Sequence, residues 1–449
     1  MIIDKKLRWA LVLAVSLGVT ACDNDVAPDT GFSGEPSRGN ADFTKYVALG
    51  NSLTAGFQDG GLYREGQINS YPNILAEQFK LVGGGAFVQP LFTEQQAAGT
   101  GYLALRGLPT PATLGLPVTA QVAPQAVRGL VNGRPLFTKP TDANANQNLG
   151  VPGIKLADVQ TPNYGSPAGN PYFERLLPDN SAKTYLQYAT EQAAGATFFT
   201  MWLGNNDVLD YATSGGARPL TETAVFTANL TATINAMTAN NRKGAVLAIP
   251  QLTSAPFFTT VTRARLLTLI NAQLPAGTTP VSALVIQTGA NTVRAATDTD
   301  LFLLAQQAEY LKLGRTDVGT RQGPYGLVPT NPLPSAFVLD AAEVAILTAK
   351  VTEFNNLMKQ QADAKNLVWT DINPLVTRLG QSGGVIENDV TYNLSFIQGG
   401  VLSLDGVHLT PAGHALVANE IIRGINAKYN ANIPTVNASR FRRVLLSAN

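Results

Sequence analysis

Cysteine, histidine and charge are all scarce in this 449-residue chain, which has one Cys, two His and 14% charged residues where soluble domains carry about a quarter. A single thiol forms no internal disulfide, and one Cys with two His cannot build a Cys- and His-rich zinc site. The 32 basic and 31 acidic residues nearly cancel, so there is no polycationic field to hold a nucleic acid and none is expected as a partner. Two imidazoles leave little choice of general base: a mechanism that needs one must use His408 or His414. What the chain does have is apolar residues, 45% of the total, enough for a sizeable core, and its length allows two or three average domains or one domain with large insertions.

The first 21 residues read as an address. Lys5, Lys6 and Arg8 precede an apolar run from Ala10 to Val19 that is too short to cross a bilayer as a helix, and small residues then lead to Cys22. The stretch Leu17-Gly18-Val19-Thr20-Ala21-Cys22 resembles a bacterial lipobox, which implies cleavage before Cys22 and acylation of that residue. Cleavage takes away Asp4, Lys5, Lys6 and Arg8, a net +2, and leaves a mature chain near −1. Residues 22–43, rich in Asp, Pro, Gly, Ser and Asn, read as a flexible tether. The chain is therefore expected in the cell envelope, lipid-anchored to a membrane, with the outer membrane, at its periplasmic or surface face, the expected one.

Strand and helix signals alternate over residues 44–429. Tyr46 to Leu49 is an apolar strand that enters the turn Gly50-Asn51-Ser52; Ser70 reads as an N-cap before Pro72 and the helical spacing of Ile74, Leu75 and Phe79. Further strands are expected at Phe198 to Leu203, Ala245 to Ile249 and Leu367 to Trp369. Helices are expected over 182–194, on the face of Phe226, Leu230, Ile234 and Met237, over 343–364, and from Thr410-Pro411 onward. This order predicts an α/β fold with a parallel central sheet, helices on both faces and the ligand site beyond the strand carboxyl ends. Residues 82–146 carry no sustained period and read as an extended excursion. Residues 253–340, with helical patches near 263–274 and 300–313, read as a cap, and 430–449 as a solvated basic tail packed on the body.

Four short segments carry the chemistry: Gly50-Asn51-Ser52-Leu53, Asn148 to Gly153, Gly204-Asn205-Asn206-Asp207 and Asp405-Gly406-Val407-His408. Ser52 sits at a strand-to-helix turn, which exposes a hydroxyl and puts its own N–H near the positive end of the next helix. Asp405 lies three residues before His408, a spacing that lets a carboxylate fix one ring nitrogen while the other faces Ser52. Backbone N–H groups at Ser52 and Gly153, with the Asn206 amide, can stabilise an oxyanion. Asp207 reads as a loop organiser and His414, inside the last helix, as a structural residue. Each segment alone is a common loop; their order and their use of one of only two His residues make the joint signal.

These segments resemble those of the GDSL family of SGNH hydrolases. The match puts Ser52 in the first block, Gly153 and Asn206 in the oxyanion positions, and Asp405 and His408 in the last block. Asn51 departs from the Asp usual there. The resemblance implies a flavodoxin-like three-layer fold, a triad of Ser52, His408 and Asp405, no metal or other cofactor, and ester substrates such as lipids, aryl esters and acetylated glycans. The α/β-hydrolase alternative lacks its Gly-x-Ser-x-Gly elbow around Ser52. An acyl chain could lie along Phe257, Phe258, Leu301, Phe302 and Leu304, residues whose simpler use is the core of the cap. Two other functions fit the same residues: a glycan O-acetyl esterase, and an idle surface lipoprotein that binds glycan or lipid.

Overall fold

A computed structural model describes residues 32–108, 110, 116–142 and 145–444. The signal segment and Cys22 lie outside the described residues. Five strands form the central sheet: β1 (Tyr46–Gly50), β2 (Asn148–Gly150), β3 (Phe198–Trp202), β4 (Lys243–Leu247) and β5 (Val368–Thr370). All pairings are parallel and the spatial order is 2-1-3-4-5, the flavodoxin-like order. The connection from β1 leads outward to β2 and the next crosses back over β1 to β3, so the winding reverses and a crevice opens where the carboxyl ends of these three strands meet.

Period-2 alternation along the strands builds two cores. Val47, Leu49, Phe199, Met201 and Val246 face one side, where they meet α3 (Tyr185–Gln192), α5 (Thr223–Met237) and α6 (Ala341–Ala364). Tyr46, Ala48, Phe198, Trp202 and Leu247 face the other, against α2 (Tyr71–Lys80), α7 (Asn373–Gly380) and α8 (Pro411–Tyr429). A strand buried on both faces is apolar at nearly every position, which is why β1 and β3 read as near-continuous hydrophobic runs; the polar exception in β3, Thr200, is bonded to the Tyr46 hydroxyl. Two short segments complete the site end: α1 (Ser52–Ala55) after β1 and α4 (Asn206–Thr213) after β3. Helix α6 starts at a capping box in which the Asp340 carboxylate accepts from the Ala342 and Glu343 N–H groups and Glu343 accepts from the Asp340 N–H.

The chain departs from the sequence expectation in four places. The excursion over 82–146 holds two hairpins, Tyr102–Gly107 with Val118–Val122 and Val127–Val131 with Arg134–Phe137. Asn132 and Gly133, both at positive φ, form the two-residue turn of the second. In the cap, Arg263–Ala272 is helical, whereas the patch near 300–313 splits into a strand, Leu301–Phe302, a 3-10 turn and one helical turn at Gln307–Tyr310. Pairing of Leu301–Phe302 with Val338–Leu339 outweighs local helix preference there. The tether ends before residue 43: Ser37 bridges Asn432, the Asn40 N–H donates to the Tyr429 carbonyl, and Phe43 is buried with its ring stacked on Phe79 at 4.1 Å. Lastly, Ser70 precedes α2 but its hydroxyl donates to Gln89 and makes no cap bond.

Helices α5 and α6 meet through Phe226 and Phe354, stacked at 3.8 Å and both buried. Phe354→Ala should cost about 3–5 kcal/mol, read as a lower urea midpoint with an unchanged slope. A loss below about 1 kcal/mol would mean that the two helices are held by other contacts.

Candidate active site

Strand β1 delivers the first part of the site. Its last residue leads to Asn51, the N-cap of α1, whose side-chain oxygen accepts from the Leu53 N–H at 3.0 Å. The amide at the departing position thus works as a helix cap without bringing a negative charge into a fully buried place. Helix α1 lies close against β2, and Gly150 makes this possible: a Cβ there would stand 2.3 Å from the Ala55 nitrogen.

Ser52, the first residue of α1, is buried except for its outer edge. Its Oγ lies 3.0 Å from His408 Nε2, and His408 Nδ1 lies 2.9 Å from Asp405 Oδ2. The hydroxyl, ring and carboxylate therefore form one continuous hydrogen-bonded chain, the arrangement that lets a ring nitrogen take a hydroxyl proton while the other nitrogen is held by a carboxylate. The Phe57 ring packs on the His408 ring, centroids 4.7 Å apart, and limits its rotation.

Asp405 is anchored beyond its contact with the ring. Oδ1 accepts from the Val407 and His408 N–H groups, each at 2.9 Å, and from the Ser403 hydroxyl at 3.1 Å; Oδ2 accepts from the Gly60 N–H at 2.8 Å. Burial alone would raise its pKa. The His408 charge, the His408 ring hydrogen bond and the backbone N–H groups outweigh burial and hold the carboxyl well below the usual carboxylate range. Gly60 and Ser403 were not anticipated from the sequence. Gly60 stands 345 positions from Asp405, too far for any spacing rule.

The oxyanion candidates gather at the carboxyl ends of β2 and β3. Gly153 takes φ +82°, a left-handed conformation that suits glycine, in the loop that follows β2. Among the described residues, neither the Gly153 N–H nor the Ser52 N–H is used by the fold. Asn206 opens α4; its Nδ2 donates to the Ile154 carbonyl at 2.8 Å, which fixes the amide and leaves its second hydrogen available. Asp207 organises the same loop, accepting from the Leu156 and Ala157 N–H groups at 2.7 and 3.1 Å. Burial pushes its pKa up to about 6 against the pull of those two donors.

An apolar cavity of about 80 Å³ adjoins the site. Leu53, Val407 and Leu409, the chain neighbours of Ser52 and His408, line it together with Trp202, Leu379 and Leu416. Of the five cap residues considered for an acyl trough, Phe258 lines this cavity. Phe257, Phe258, Phe302 and Leu304 are all buried in the core, and Leu301 packs against it.

The family model for GDSL-like lipase/acylhydrolase matches residues 46–421. The chain belongs to this family. It is accordingly a hydrolase of ester bonds, with the α/β architecture described above. Among solved structures, the chain is similar to an extracellular lipase from Streptomyces rimosus, at 12% identity and a TM-score of 0.33, over 84% of this chain and 99% of that one. No curated protein matches.

His414 stands apart from this chain of contacts. It is fully buried in α8, and its Nδ1 accepts from the Tyr71 N–H at 3.3 Å. Burial, then the charge of His408, push its pKa down to about 3. An unfolded His titrates near about 6.5, so between these values the unfolded chain takes up a proton that the folded chain refuses. The stability linked to His414 is therefore complete above about pH 6.5 and is lost as pH falls toward 3. In His414→Asn the amide oxygen can accept the Tyr71 N–H without titrating. Urea unfolding should show the wild type losing about 2 kcal/mol more than the variant between pH 7 and 5, at about 1.4 kcal/mol per pH unit below 6.5. Parallel pH curves would contradict this role.

Proposed function

We propose that this chain is an exported serine esterase, lipid-anchored at Cys22, that cleaves carboxylic esters with acyl groups of medium length. The reading is carried by the continuous hydrogen-bonded chain from the Ser52 hydroxyl through His408 to Asp405. His408 takes the hydroxyl proton as Ser52 Oγ attacks the ester carbonyl, and Asp405 stabilises the ring as it becomes positive. The Ser52 and Gly153 N–H groups and the Asn206 amide donate to the oxygen as it gains charge. Protonated His408 then returns its proton to the leaving alcohol. Water, deprotonated by the same ring, releases the acyl group from Ser52 and restores the enzyme.

The apolar cavity lined by Leu53 and Val407, the chain neighbours of Ser52 and His408, supports an acyl group longer than acetyl. Its lining is almost wholly apolar, from Leu53 and Val407 to Trp202, Leu379 and Leu416, and so favours a hydrocarbon chain. A glycan O-acetyl esterase has no use for such an apolar space. Location rests on the N-terminal order of basic residues, apolar run and small residues before Cys22, which supports export and attachment to a membrane through lipid.

Turnover of nitrophenyl esters tests the mechanism and the acyl preference together. Hexanoate and octanoate esters should exceed both acetate and palmitate in kcat/KM. Ser52→Ala should remove activity by several orders of magnitude, and Asn206→Ala should lower kcat by about 10² to 10³. Full activity in Ser52→Ala would refute the mechanism, and a maximum at acetate would refute the acyl assignment. Anchoring has its own readout: the wild type should partition into detergent and Cys22→Ser into water.

A further inference from the structure

The last part of the chain reaches the site at one point. Residues Gln58 to Gly61 form a tight turn, with two backbone hydrogen bonds between Gln58 and Gly61 and both central residues, Asp59 and Gly60, at positive φ. This turn presents the Gly60 N–H to Asp405 Oδ2 and the Asp59 N–H to Ser403 Oγ, whose hydroxyl in turn donates to Asp405 Oδ1. It thus controls two of the donors that hold the Asp405 carboxylate.

The Asp59 side chain locks the turn to the loop before His408. Its Oδ1 accepts from the Leu404 N–H at 2.9 Å and its Oδ2 from the Tyr63 hydroxyl at 2.7 Å. It is a carboxylate with 1% exposure, and such a group needs a counter-charge. Arg442 supplies it: Nη2 lies 3.7 Å from Asp59 Oδ2 and donates to the Tyr63 hydroxyl at 2.8 Å, while Nε donates to Glu65 at 2.7 Å. The Arg442 carbonyl also accepts from the Ala412 N–H in the first turn of α8, which fixes the guanidinium relative to the helix that follows His408. Arg442 lies beyond the residues 46–421 that match the family model.

We infer that Arg442 is a positioning residue: by neutralising buried Asp59 it keeps the Gln58 to Gly61 turn in place and so holds Asp405 and the His408 ring in register with Ser52. The charged and titratable groups around Asp59 are Tyr63, Tyr102, Glu65, Arg442 and Asp405. Burial raises the Asp59 pKa, opposed by the Leu404 N–H, the Tyr63 hydroxyl and Arg442, while Asp405 adds to the rise. Without Arg442 the carboxylate protonates at a higher pH on acidification and can no longer accept from both partners.

This inference rests on the triad proposed above, and the test separates the two. Kinetics of the full chain are compared for Arg442→Gln, Arg442→Lys, Asp59→Asn and Asp59→Asn with Arg442→Gln, beside Ser52→Ala, with folding followed by thermal melting. Arg442→Gln should lower kcat at least tenfold with KM within twofold, and its activity should fall off at a higher pH than that of the wild type as pH drops. Arg442→Lys should recover part of the loss. In the Asp59→Asn background, which has no buried charge to neutralise, adding Arg442→Gln should change kcat less than threefold and move no acid limb. If Arg442→Gln does not fold, that last comparison decides alone. Equal kcat values in Arg442→Gln and wild type, or a tenfold further loss in the double variant, overturn the inference while an inactive Ser52→Ala leaves the triad standing. An active Ser52→Ala removes both.

Discussion

The Asp405 carboxylate accepts five hydrogen bonds, from Gly60, Ser403, Val407, His408 and the His408 ring, and they come from both ends of the chain. A buried carboxylate with fewer donors would protonate or move, and either change would release the ring that faces Ser52. The donors fix the segment after β1 and the segment before α8 to one another. Those two segments adjoin in space because β1 is central in the sheet and α8 covers one of its faces.

Much of the remaining architecture supplies rigid supports for that contact. Alternating apolar residues bury both faces of the sheet, which leaves its carboxyl edge as the place where polar residues can gather. Gly150 admits α1 against β2, Asn51 caps α1, and Asp207 ties the Gly153 loop to α4. The cap and the two hairpins add surface around this edge without altering the order of the strands. His414 and Arg442 show opposite uses of buried basic groups. Burial holds the first neutral, while the second keeps its charge because Asp59 and Glu65 face it.

Sequence reasoning reached the parts of this molecule that local patterns govern. The strands around Val47, Phe199 and Val246 are near-continuous apolar runs, and the helix expected over 343–364 is α6, so the layers and the parallel sheet were legible. Ser52, Asp405 and His408 could be singled out because imidazole is scarce and Asp405 and His408 are three residues apart. What could not be read depends on distant partners. Gly60 meets Asp405 across 345 positions, and Leu301–Phe302 becomes a strand only because Val338–Leu339 lies beside it. Asn132-Gly133 was a local turn signal for the second hairpin, hidden in a region without hydrophobic period. Arg442 looked like one of several basic residues in a polar tail, and nothing short of its position against Asp59 and Tyr63 distinguishes it.

The proposed chemistry requires that one hydroxyl, that of Ser52, be far more nucleophilic than the others in the chain. Treating the folded protein with a fluorophosphonate and mapping the adduct by peptide mass spectrometry tests this directly. One phosphonyl group per chain is expected, on the peptide that contains Ser52. An unmodified protein, or an adduct on another residue with Ser52 unmodified, would contradict it.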